Sequence, residues 1–185
     1  QVASGKALDI MQVSPIEGFS TTISGTTEIT AAAGGTLLVL ADRAAGGEWT
    51  GDEGFLVLKQ LSQIAGDRTV LCAGAAARDL IERGVRELGY RRNSLFGSAP
   101  EALASGLRAL VALETNGSVR DVTLMVLGVP PANVVVPWDE VTVAGAAITR
   151  ILDEPSRRRL ASRVALLWPP GNYTLANAAA EAIAS

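Results

Sequence analysis

The chain has 185 residues, 48% hydrophobic and 19% charged, with a formal net charge of −3. That describes one domain or a closely joined pair with enough apolar material for a core. It excludes a disordered tail and lacks the basic excess of a nucleic-acid binder. One cysteine and no histidine exclude a disulfide framework, a cysteine-based metal site, imidazole acid–base chemistry and the histidine-dependent nucleophile systems.

Taken in order, residues 4–12 read as a short amphipathic helix with Ala7, Leu8, Ile10 and Met11 on its apolar side, stopped by Ser14-Pro15. Residues 21–24 are a short strand candidate. The run TLLVLA, residues 36–41, has the continuous apolar pattern of a strand buried on both faces. A helix follows over 52–65, then a second buried strand over 68–73 (RTVLCA), a helix over about 75–88, and a very short strand over 94–96. Pro100 opens a helix to about Glu114 with Leu103, Leu107, Leu110 and Val111 on its apolar face, and residues 119–127 read as a strand after the Asn116-Gly117 turn. Strands alternating with helices of this length predict βαβ units and a mostly parallel sheet. After Gly128 the character changes. Val129-Pro130-Pro131 is a rigid break, 134–136 and 141–143 are short β-type runs, a helix starts at Asp153-Glu154-Pro155, and 173–184 is an alanine-rich helix. The expected architecture is therefore α/β, with a mostly parallel sheet over 1–128 followed by an α+β region over 129–185.

The stretch GKALDIMQVSPIEGF, residues 5–19, resembles a run found in the lactate-dehydrogenase-like malate dehydrogenases. SGTTEITAAAGGTLLVLA (24–41), GYRRNSLFG (89–97), VTLMVLG (122–128), VPWDEVTVAGAAI (136–148) and GNYTLANAAAEAI (171–183) are similar to later segments of that family, in the family's order. The resemblance implies a partial Rossmann-like domain over 1–128, lacking the Gly-rich dinucleotide turn, and part of a substrate-domain-like region over 129–185. It also implies that strands lying beside the 36–41 strand in the family fall outside this sequence, leaving an apolar sheet edge to be covered.

Carried over position by position, the family's chemistry is missing. Hydride transfer to a hydroxyacid needs a histidine to exchange the hydroxyl proton, a carboxylate to orient it, and an arginine to clamp the substrate carboxylate. The histidine position falls at Pro130 or Pro131, the aspartate at Leu103, the clamping arginine at Gly106, and the asparagine of the substrate loop at Ala75. The mobile loop's arginines would lie near Ala45 and Gly51, with Arg43 the arginine at hand. Tyr90, Tyr173, Lys6 and Lys59, the only tyrosines and lysines, sit at none of these positions. A catalytically inactive relative is expected, with no catalytic, cofactor or metal residue and no bound cofactor. Its role would be that of a structural or interaction subunit. The alternative is an NAD-dependent dehydrogenase or an NAD-binding regulator seen in part.

In the family the helix bearing the first motif lies at a subunit contact, so Leu8 and Met11 are the implied anchors. Trp49, in the glycine-rich segment AAGGEWTGDEG, is a third candidate, for a protein contact or for packing into the emptied cleft. Cys72 reads as a buried small hydrophobe, and Asp52-Glu53 as acids favoured at a helix N-terminus. Arg91-Arg92 and Arg157-Arg158-Arg159 read as solvated faces. A protein partner or oligomer is expected, with no nucleic acid and no membrane insertion. The compartment expected is cytoplasmic, since Gln1 opens no secretory pattern and no run nears the ~20 residues of a membrane span.

Overall fold

A computed structural model describes residues 1–43 and 46–184. Ala45 lies outside them. Its centre is a three-stranded parallel sheet in the order β1-β2-β3, formed by β1 (Leu37–Leu40), β2 (Thr69–Cys72) and β3 (Leu95–Gly97). The crossovers are α2 (Gly51–Ala65) and α3 (Ala77–Glu87). Leu58 and Leu61 of α2, Leu80 of α3, Val70 of β2 and Leu95 of β3 close one core between sheet and helices. Arg83 of α3 lies 3.9 Å over the Phe55 ring of α2 and bonds to Asp52 and Glu87 at 3.0 Å each, clamping the two helices at the surface.

α4 (Ala99–Thr115) leaves the sheet with Pro100 in its first turn and ends at Asn116 in the left-handed conformation. Its buried face, Ala104, Leu107 and Val111, meets a second core made with Val122, Val141, Ile148 and Leu160. Around it lie two small antiparallel sheets, β4-β7-β8 and the β5–β6 hairpin. Their strands are β4 (Val122–Thr123), β5 (Leu127–Val129), β6 (Asn133–Val135), β7 (Thr142–Val143) and β8 (Ala146–Ala147). α5 (Ile148–Ile151), α6 (Glu154–Arg163) and α7 (Asn172–Ala184) complete the chain, with α7 packed along α4. Asp153 caps α6 by accepting from the Ser156 N–H at 2.9 Å, and hydrogen bonding from the Ser156 side chain, then from its backbone, holds the Asp153 carboxyl below the usual range. The expected division at residue 128 falls inside β5, and α4 shares its core with residues on the far side of it.

Five expectations are corrected. The first helix, α1, runs Val2–Glu17, past Ser14-Pro15. Proline removes one intrahelical bond, and so near the end that loss is tolerated until Gly18, left-handed at φ 73°, closes the helix on the Ser14 carbonyl. Nor is α1 amphipathic: Ala7 is its one buried residue, while Val2, Leu8, Ile10, Met11, Val13 and Ile16 are exposed on several sides. Residues 21–24 are not a strand, because no neighbouring strand pairs with them among the described residues. β1 buries only one face, through Leu38 and Leu40, and Val39 between them is 46% exposed. The single strand expected over 119–127 breaks into a 3₁₀ turn capped by Ser118, then β4, then β5, which pair with different partners.

Candidate functional site

Ligands of open α/β sheets bind beyond the carboxyl ends of the strands, so that end of the sheet is the first place to search. Here the segment after β1 folds back over it. Arg43 stacks on the Trp49 ring at 4.5 Å and pairs with Glu53. The Arg43 N–H also donates to the Gly47 carbonyl at 3.1 Å. Trp49 is half-buried against the core near Leu40, Cys72 and Leu80. Its backbone lies so close to Gly54 that a Cβ there would stand 2.8 Å from the Trp49 carbonyl carbon. The tryptophan thus anchors its own loop onto the first turn of α2.

Two carboxylates complete this floor. Glu48 accepts from the Ala76 backbone N–H at the start of α3. Asp42 sits beside Gly74, its Oδ1 2.7 Å from where a Cβ would stand, and burial pushes its carboxyl above the ordinary value of 3.8. Glu48 was not singled out by sequence reasoning. The signal was there: α3 opens on Ala76-Ala77 with no Ser, Thr, Asp or Asn to cap it, so an acceptor from elsewhere was required. Beneath lies Cys72, 1% exposed, its thiol pushed up to about 12 by burial and chemically quiet.

The neighbouring positions, where the family resemblance places the reacting groups, carry no polar side chain. Ala75 is buried against Ala99, Ala102, Leu175 and Ala178, with Trp168 partly buried on the same cluster. Leu103 is 1% exposed. A Cβ on Gly106 would touch the Leu167 side chain at 3.6 Å. Pro130, in the β5–β6 turn, faces a groove beside α3 together with Ala75 and Trp168. Arg108, two residues beyond Gly106, is bonded to Glu101 at 2.7 Å. Among the described residues no group of three or more His, Cys, Asp or Glu side chains is placed to hold a metal.

The chain spans about half the length of the curated relatives it matches. One is the malate dehydrogenase of Thioalkalivibrio sulfidiphilus, 30% identical over 170 residues that cover 87% of this chain and 55% of the relative. Among solved structures, malate dehydrogenase from Salinibacter ruber superposes with a TM-score of 0.82 at 21% identity, covering 98% of this chain and 63% of that one. The fold is that of the malate dehydrogenases. Lactate dehydrogenase from Cryptosporidium parvum shares it, with a TM-score of 0.78 at 17% identity, covering 98% of this chain and 63% of that one. No family model matches the chain. Relatives in sequence and neighbours in structure are thus malate and lactate dehydrogenases, in support of the family that the sequence motifs suggest.

A malate dehydrogenase from Plasmodium falciparum that shares the fold, with a TM-score of 0.81 at 18% identity over 99% of this chain and 65% of that one, was solved with NADH, and the start of α3 described here does not fit such a cofactor's pyrophosphate. The pyrophosphate of such a cofactor rests on a Gly-rich turn at a helix N-terminus. The N-terminus of α3 is already taken by Glu48, and with Asp42 it presents negative charge where an anion would need the opposite.

The candidate contact residues lie apart. Leu8 and Met11, on α1, are 58% and 37% exposed. Trp49 is half-buried in the loop just described. α1 has no substantial packing partner among the other described helices and strands. It is tied to the chain that follows it through Ser4, whose hydroxyl donates to the Gly25 carbonyl at 3.0 Å. Among the described residues no helix is long and apolar enough to cross a membrane.

Proposed function

We propose that this chain is a malate-dehydrogenase-like scaffold without hydride-transfer chemistry, serving as a structural or interaction subunit of a larger assembly. The observation that carries the reading is the apolar character of the positions where the reacting groups would stand. Ala75, Leu103 and Gly106 stand where the family resemblance puts asparagine, aspartate and arginine, and they are built into apolar contacts. Pro130, at the histidine position, has no proton to exchange. The loop that would close over substrate is held down by the Arg43–Trp49 stack and by Glu48 on the start of α3. A dicarboxylate substrate would meet Asp42 and Glu48 in place of a clamp. Each tenfold of rate needs ~1.4 kcal/mol of transition-state stabilisation, and no group in the cleft supplies it. α1, through Leu8 and Met11, is the contact surface in this reading, ahead of Trp49.

The test is NADH oxidation with oxaloacetate and with pyruvate, on the polypeptide purified from its native source. The expected result is no turnover above buffer. Activity that co-purifies with the chain through successive columns would overturn the proposal. The span of about half the relatives' length and the outer edge of β1, unpaired among the described residues, favour a second reading, an NAD-dependent dehydrogenase or NAD-binding regulator of which this is one part. A rise in Tm with NAD in the same preparation would support that reading, and turnover would then separate enzyme from regulator.

A further inference from the structure

A groove of about 580 Å³ opens between α3, the outer edge of β3 and the β5–β6 hairpin. Its walls are apolar, with Ala77, Ile81 and Val85 from α3, Leu95 from β3, and Trp168 from the segment before α7. The volume lies within the roughly 300–1,000 Å³ of small-molecule sites. β3 is the last strand of its sheet among the described residues. Ser94 and Ser98 bond back to β2, so the peptide groups of Leu95 and Gly97 between them point away from it, on the groove side.

The charges on the rim are one-sided. Arg78 and Arg86 of α3 and Arg92 in the turn before β3 stand against a single acid, Glu82. Arg86 is bonded to Glu82 at 3.1 Å. Arg78 and Arg92 have no ion-pair partner among the described residues, whereas the loop over the ends of β1 and β2 carries Asp42 and Glu48. An anion is therefore attracted to the α3 side and repelled from the other. Free guanidiniums above an apolar slot match a carboxylate carried on a hydrocarbon body, since Arg pairs with carboxylates through two parallel N–H bonds while the slot takes the chain out of water.

We propose that this groove binds a small organic anion with an apolar body, a medium-chain monocarboxylate being the simplest form. The groove takes in Ala75 and Pro130, so this inference rests on the reading that those positions no longer carry reacting groups, which the turnover assay tests separately. Titration calorimetry of the full chain with octanoate, and with octanol as its uncharged counterpart, tests it. Octanoate is expected to bind saturably and roughly tenfold more tightly than octanol, a difference of ~1.4 kcal/mol. Arg78→Gln or Arg92→Gln, both at exposed positions, is expected to erase most of that difference while leaving octanol binding unchanged. Ile81→Trp, which fills the slot, is expected to abolish both. Equal affinity for acid and alcohol, or arginine variants without effect, would overturn the proposal. So would absence of binding at millimolar octanoate, or loss of binding in Leu8→Ser, which would place the hydrocarbon on α1.

Discussion

Two helices of nearly equal length are used in opposite ways. α2, with 15 residues, buries Gly54, Leu58, Leu61 and Ala65 against the sheet and turns its polar residues outward. α1, with 16 residues, buries Ala7 and leaves Val2, Leu8, Ile10, Met11, Val13 and Ile16 in the open. The difference lies in spacing. In α2 the positions 54, 58, 61 and 65 fall on one stripe at the helical period, whereas the apolar residues of α1 are spread around the axis. A stripe is satisfied by one neighbour. A helix apolar on several sides is the pattern of an element that some further surface covers. α2 is therefore satisfied in its packing, and α1 is not.

The largest effect that sharpens this contrast is a truncation inside the sheet core. Leu58 is fully buried, so Leu58→Ala is expected to cost about 2–5 kcal/mol in urea unfolding of the isolated chain. Leu8→Ala in α1 is expected to stay within about 0.5 kcal/mol. Equal losses would show that α1 is packed in solution.

Adding a methyl group separates the two regions in the same way. A Cβ on Gly84 would stand 2.4 Å from Leu95 Cδ2 and 2.8 Å from Leu58 Cδ2, so Gly84→Ala is expected to lower global stability by about 1–3 kcal/mol. A Cβ on Gly25 would stand 2.1 Å from the Ala3 carbonyl oxygen. Gly25→Ala is expected to release α1 alone: amide exchange accelerates over residues 2–17 and stays slow in β1–β3. Slowed protection lost across the sheet as well would make the two regions one cooperative unit.

The smallest expected effect is electrostatic. Burial raises the Asp42 carboxyl above 3.8, so the fold disfavours its charged form. The stability tied to the neutral form is fully present below 3.8 and is lost as pH rises through the folded pKa. Asp42→Asn is therefore expected to raise Tm at pH 7 and to leave it nearly unchanged at pH 3. A fall at pH 7 would mean that the charge of Asp42 supports the loop.

The three strands of the parallel sheet and helices α2, α3, α4, α6 and α7 were legible in the sequence, because each carries its signal locally: an apolar run, a helical stripe, or Asp153 and Pro155 at a helix start. What was not legible depends on partners distant in the chain. Residues 119–127 look like one strand until their pairing is known, and then Val122 belongs with Val143 while Leu127 belongs with Val135. β8 is an Ala-Ala pair that becomes a strand only beside β7. At the site, the residues at the family's reacting positions could be named from motif order. Their burial among Ala99, Ala102, Leu175 and Leu167 could not, and neither could the reach of Glu48 across 28 residues to Ala76.

The proposed role makes α1 a contact surface. The most direct test is native mass spectrometry of the assembly from its natural source, repeated after Leu8→Glu and Met11→Glu are introduced together. An assembly larger than a single chain that the double variant splits into smaller species, with the sheet still folded, is the predicted result. A single chain in the unaltered protein, or an assembly that the double variant leaves whole, would contradict it.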